Sequence, residues 1–224
     1  MRIIPALLPQ TYDQLIDGFF LAESFTTHIH LDVVDGKYAP YTSYPFSEEV
    51  QTDLGDTLLI PPTSMHVSVH LMTEDVHAFG QKYIHAGAEE IIVHYAGFGL
   101  EHELIQTLAL WKEQGVIITL AFSSTDDPYA VSSIITELSI RRIHCMTIAD
   151  IGVQGNPFDA SALSLISEIR TTDPSIYISA DGGISESNIS LLKEAGVNDA
   201  IVGSAIMKSE NPQTALEILQ HLAH

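Results

Sequence analysis

The sequence predicts a single (β/α)8 barrel. The first observation behind this is a strict alternation of short β-rich runs with longer helical runs along the whole chain. The second is length: eight such units fill 224 residues, the size of one barrel domain spanning residues 1–224. The third is a hydrophobic content of 46 %, enough for one large core. A doubly wound open sheet is the competing architecture, but no Gly-x-Gly-x-x-Gly follows the first strand.

The expected strands are Ile3–Leu7, His28–Val34, Ser64–Leu71, Glu90–His94, Val116–Ala121, Arg142–Met146, Ile176–Asp181 and Ala200–Val202. Between and after them, helices are expected at Tyr12–Ser24, Ser47–Leu54, Glu74–Ala86, Leu100–Gln114, Pro128–Leu138, Ala160–Thr171, Glu186–Ala195 and Pro212–His221. Most carry apolar residues at i, i+3, i+4 spacing, as Leu104, Leu108 and Trp111 do. Ser185 stands where the N-cap of the seventh helix belongs, and Gly196 and Gly87 stand just past helix ends.

Composition narrows the function. The net charge is −20, with 29 acidic against 9 basic residues, which disfavours a nucleic-acid partner. An anionic substrate stays compatible, because backbone N–H groups at a helix start hold phosphate without Lys or Arg. Cys145 is the single cysteine, so no intrachain disulfide forms, as suits a reducing cytoplasm. The opening MRIIPALLPQTYDQ lacks a signal-peptide apolar region, and no run approaches a membrane span. A cytoplasmic protein with no membrane partner is expected.

Chemistry in such a barrel sits at the C-terminal strand ends. The second strand ends His30-Leu31-Asp32-Val33-Val34-Asp35-Gly36, and residues two apart share a face, so His30 and Asp32 point the same way. The third ends with His66, Ser68 and His70 on one face, and the seventh ends Asp181-Gly182-Gly183. Inward-facing ionisable groups are costly unless paired or metal-bound. His30, Asp32, His70 and Asp181 converge at the rim as a mixed nitrogen and oxygen set suited to zinc, iron or manganese. His66, His94 and His144 read as structural, since none is needed to complete that set.

Four segments carry a family resemblance: His-Leu-Asp-Val-Val-Asp-Gly (30–36), Val-His-Leu-Met (69–72), Asp-Gly-Gly-Ile (181–184) and Gly-Ser-Ala-Ile (203–206). In order and spacing the chain resembles the ribulose-phosphate 3-epimerase family over essentially its whole length. The resemblance implies one divalent metal on His30, Asp32, His70 and Asp181, with Asp32 and Asp181 as acid and base. It implies a methionine-lined site, which Met72 matches and Met146 lies near. A sugar phosphate is then the expected substrate, D-ribulose 5-phosphate converted to D-xylulose 5-phosphate, and a homo-oligomer the expected state. Phosphate is expected at Gly182, Gly183, Gly203 and Ser204, after the last two strands, with help from Gly152 and Gly155.

The chain departs from the family pattern in three places. Pro5-Ala6 stands where the family has Pro-Ser, Pro40-Tyr41 stands in place of Pro-Asn, and the loop 149–158 loses a glycine and its proline. The metal and acid–base residues are intact while the substrate-contacting shell is altered. Alternatives are therefore a 3-epimerase of a hexulose 6-phosphate such as allulose 6-phosphate, and a non-catalytic sugar-phosphate-binding relative. The orotidine-phosphate decarboxylase and hexulose-phosphate synthase group uses Asp-x-Lys-x-x-Asp, and Asp32-Val33-Val34-Asp35 has no such lysine.

Overall fold

The computed structural model describes residues 1–47, 59–94, 101–124, 126–148 and 156–224, apart from the side chains of 101–105 and 130. Eight parallel strands close into a barrel in chain order: β1 (Arg2–Leu7), β2 (His28–Val34), β3 (His66–Met72), β4 (Glu90–His94), β5 (Ile117–Phe122), β6 (Arg142–Met146), β7 (Tyr177–Asp181) and β8 (Asp199–Val202). The helices are α1 (Tyr12–Glu23), α2 (Val76–His85), α3 (Glu101–Glu113), α4 (Pro128–Glu137), α5 (Ala162–Thr172), α6 (Ile189–Ala195), α7 (Ser204–Met207) and α8 (Pro212–Leu222). The expected (β/α)8 barrel is therefore the observed one. Chain contacts divide it into two compact units, residues 6–118 and residues 1–5 with 119–224, described in turn.

In the 6–118 unit, β2 and β3 pair in register, which sets His30 beside Ser68 and Asp32 beside His70. Ala6 pairs with His30 on the other side. Both faces of these strands are largely buried, as parallel strands under helices require, and the apolar residues of β2 through β4 are interrupted by histidines and by Asp32, Ser68 and Glu90. The α1 N-terminus is capped by the Thr11 hydroxyl, which accepts from Gln14 N–H, and that of α2 by Asp75, which accepts from Ala78 N–H. Leu108 and Trp111 of α3 are buried as their spacing requires. The helix expected at Ser47–Leu54 falls largely outside the described residues.

In the other unit, β6 and β7 pair with His144 beside Ser179 and Met146 beside Asp181. Arg2 of β1 clasps the buried Asp199 of β8 through two hydrogen bonds of 2.9 and 2.7 Å. Pro128 and Pro212 open α4 and α8 behind Asp127 and Asn211 caps. Gly196 ends α6 with φ +92°, a left-handed turn open to glycine at little cost.

Two expectations are corrected. Strand β3 begins at His66 and not at Ser64, because Ser64 N–H is bound by Glu23 and Met65 N–H by Thr63. Helix α6 begins at Ile189 behind Asn188, not at Glu186 behind Ser185. The Asn188 carboxamide folds back, accepting from Ser185 N–H and donating to the Gly183 carbonyl, so that 185–188 forms a tied turn.

Candidate metal centre and active site

Strand ends supply the ionisable groups. In the 6–118 unit, His30 is fully buried, with Nδ1 3.2 Å from Ser68 Oγ and Nε2 3.2 Å from Asp32 Oδ1. The same Asp32 oxygen lies 3.2 Å from His70 Nδ1. His70 Nε2 in turn lies 3.0 Å from His94 Nε2, and Tyr38 packs on the His94 ring. Asp35 ties down the segment carrying Tyr38, accepting from the backbone N–H groups of Lys37, Tyr38 and Glu74. Met72 is buried at the end of β3.

Asp32 is mostly buried, which alone raises a carboxyl pKa. The charges and hydrogen bonds of His30 and His70 outweigh that and hold it well below the usual carboxylate range. It is therefore an anion, as a base or a ligand must be.

In the other unit, His144 is fully buried, with Nδ1 2.9 Å from Ser179 Oγ and Nε2 3.4 Å from Asp181 Oδ2. Thr147 locks the ends of the two strands together, its N–H donating to the Asp181 carbonyl and its hydroxyl to the Gly182 carbonyl. Met146 is buried beside Asp181.

Ligand-capable atoms of His30, His70, His144 and Asp181 all lie within 4.8 Å of one another. The set expected from sequence was His30, Asp32, His70 and Asp181; this group has His144 where that set has Asp32. Asp32 stands in hydrogen-bond contact with two of the imidazoles. His144 and His94 were read as structural, and the structure sets His144 within the group and His94 against His70. The available signal was modest: His144 precedes Met146 by two residues on one strand, and His94 is the last residue of another.

The donor chemistry fits a metal. A ligand–metal bond of about 2.05 Å in a tetrahedral site gives donor–donor separations of roughly 3.3 Å. His30–Asp32 at 3.2 Å and His144–Asp181 at 3.4 Å match that spacing. Imidazole and carboxylate together suit zinc, iron or manganese.

The expected phosphate turns are partly described. Gly182 and Gly183 have φ of +115° and +64°, and a Cβ on Gly183 would come within 2.5 Å of Phe158 N. Close backbone approach thus demands glycine there whatever binds. The turn lies several residues ahead of α6, so that helix does not start at the glycines. Gly203 precedes α7, whose first residue, Ser204, is exposed. Gly152 and Gly155 lie outside the described residues. Among the described residues no helix is long and apolar enough to cross a membrane.

A closed eight-stranded parallel barrel with imidazoles and carboxylates at its strand ends has the build of a (β/α)8-barrel enzyme. Solved structures show the same fold. A 3-hexulose-6-phosphate synthase from Salmonella typhimurium superposes with a TM-score of 0.68 at 16 % identity, over 100 % of this chain and 98 % of that one. A structure titled KGPDC from Streptococcus mutans in complex with D-R5P gives 0.69 at 13 %, over 99 % and 96 %. Sequence comparison is more specific. The model of the ribulose-phosphate 3 epimerase family matches residues 2–207, and the chain belongs to that family, whose members are isomerases of carbohydrate phosphates. The ribulose-phosphate 3-epimerase of Bacillus subtilis is 28 % identical over 84 % of this chain and 83 % of its own. That of Helicobacter pylori strain 26695 is 25 % identical over 99 % and 98 %.

Proposed function

We propose that the chain is a metal-dependent 3-epimerase of a ketose phosphate, converting D-ribulose 5-phosphate to D-xylulose 5-phosphate in the cytoplasm. The observation that carries this is the grouping of His30, His70, His144 and Asp181, with Asp32 held as an anion by two of the imidazoles. Family membership supports the same reading.

Epimerisation beside a ketone removes a proton from one face of the carbon and returns one to the other. Asp32 on β2 and Asp181 on β7 are assigned those two faces of a planar enediolate. His30 and His70 keep Asp32 ionised and therefore able to accept the proton. Asp181, fixed through the Thr147 contacts at the end of β7, delivers the other. His30, Asp32, His70 and Asp181 would hold a divalent ion, which would supply Lewis-acid stabilisation of negative charge on the substrate. Met72 and Met146 give the site an apolar lining that excludes water. The turns at Gly182–Gly183 and Gly203–Ser204, with Gly152 and Gly155, are assigned to the phosphate, at the far end of the sugar.

The test is a panel of phosphorylated pentuloses and hexuloses supplied to purified protein, with epimer formation followed by NMR. Preference for ribulose 5-phosphate upholds the assignment. Preference for a hexulose 6-phosphate transfers the mechanism to that substrate, and no turnover on any of them refutes it.

A further inference from the structure

We infer that His144 is a donor to the same ion as Asp181, and that Ser179 is the positioning residue that presents its ring. The inference rests on the metal-dependent reading above. It concerns a residue on β6 to which that reading gives no place among the ligands.

Two observations point this way. The first is how the ring is held. Ser179 Oγ lies 2.9 Å from His144 Nδ1 and donates at 3.2 Å to the Ile143 carbonyl. A serine hydroxyl has a single proton. With that proton on Ile143, Oγ accepts from the Nδ1 proton, and Nε2 carries the lone pair that a metal ligand must offer. The arrangement repeats in the 6–118 unit. There Ser68 Oγ lies 3.2 Å from His30 Nδ1 and 3.4 Å from the Ile29 carbonyl. In each case the serine stands beside its histidine in the strand register and reaches the carbonyl of the residue before it. A proposed ligand and a histidine outside the proposed ligand set thus each have a serine hydroxyl at Nδ1.

The second observation is what Nε2 meets. It lies 3.4 Å from Asp181 Oδ2, beyond the 2.7–2.9 Å typical of a charge-assisted N–H···O bond. In the tautomer that Ser179 selects, the Nε2 lone pair faces a carboxylate oxygen, and a cation between the two would be held by both.

The consequence is selectivity. Three imidazoles and few carboxylates favour zinc, iron or cobalt over magnesium, which prefers oxygen ligands.

The experiment strips the full-length protein with chelator, confirms its fold by circular dichroism, and titrates it anaerobically with Co²⁺. Calorimetry gives affinity, and the visible d–d spectrum reports ligand type and geometry. Parent protein should bind about one equivalent. His144→Leu, which keeps most of the volume, should lose at least about a hundredfold in affinity and change the spectrum. Ser179→Ala keeps the imidazole and should lose roughly ten- to a hundredfold, the usual effect of removing a ligand's orienting partner. If His144→Leu binds cobalt with parental affinity and a superimposable spectrum, the inference is overturned while the proposed function stands. If the parent itself binds no ion, the metal-dependent reading falls and this inference with it. Should His144→Leu fail to fold, Ser179→Ala decides: parental affinity and spectrum in that variant overturn the assignment.

Discussion

Placing a methyl group on Gly80 of α2 tests how closely the helices pack outside the strands that carry the site. A Cβ there would stand 2.5 Å from Trp111 Cη2 and nearer still to Cζ2. Carbon atoms prefer about 3.5–4.0 Å, so the ring must retreat by roughly 1 Å or more. Trp111 is fully buried, and its rigid ring has nowhere to move without displacing α3. Overpacking of this kind costs about 1–3 kcal/mol. Replacing glycine by alanine inside a helix returns about 0.5–1 kcal/mol. A contact this short puts the overpacking in the upper part of its range, about 2–3 kcal/mol, so Gly80→Ala should destabilise the fold by about 1–2.5 kcal/mol, roughly a 5- to 70-fold shift toward the unfolded state. Trp111 is the single tryptophan, so its fluorescence follows the urea transition and reports on its own displacement. A variant as stable as the parent, with unchanged emission, would refute the packing argument.

Other predictions follow from the site and the barrel. Asp32→Asn and Asp181→Asn should each lower turnover at least about a hundredfold, with bound metal assayed in the same samples to separate ligation from proton transfer. His66 is paired with Glu90 at 4.0 Å and hydrogen-bonded to Glu89, and these carboxylates outweigh its partial burial and raise its pKa. A raised folded pKa gives stability that is complete below the ordinary value of about 6.5 and is lost as pH rises through the folded value. Urea midpoints of parent and His66→Gln should thus differ most below pH 6 and converge in mildly alkaline buffer; a constant gap would contradict this. Cys145 is fully buried, and burial, then the charge of Asp126, push its thiol up to about 12. Thiol reagents should label it only on unfolding, and fast labelling of native protein would count against the structure.

Much of this was legible in sequence because strands are short and locally coded. Strands β2, β4 and β6 have the bounds expected from sequence. The missed boundaries were set by side chains from elsewhere or by a local turn: Glu23 reaches Ser64 across 41 residues, and Asn188 folds back on Ser185. The site divides in the same way. Spacing of two on one strand is a local property, and it put His30 and Asp32 on one face. Which imidazole stands near Asp181 depends on register between strands, so His144, taken by itself, looked like any buried histidine. Ser68 and Ser179 gave no signal either, because the role of a serine beside a histidine appears only once the strands are paired.

The central claim is proton exchange assisted by a divalent ion, and one measurement reaches it directly. Protein stripped of metal is supplied with D-ribulose 5-phosphate in heavy water, before and after one equivalent of zinc, iron or manganese is restored, and followed by NMR. The account predicts no epimer without the ion. With the ion restored, it predicts D-xylulose 5-phosphate carrying solvent deuterium at the epimerised carbon. Equal turnover after exhaustive chelation, or an epimer formed with no deuterium at that carbon, would contradict it.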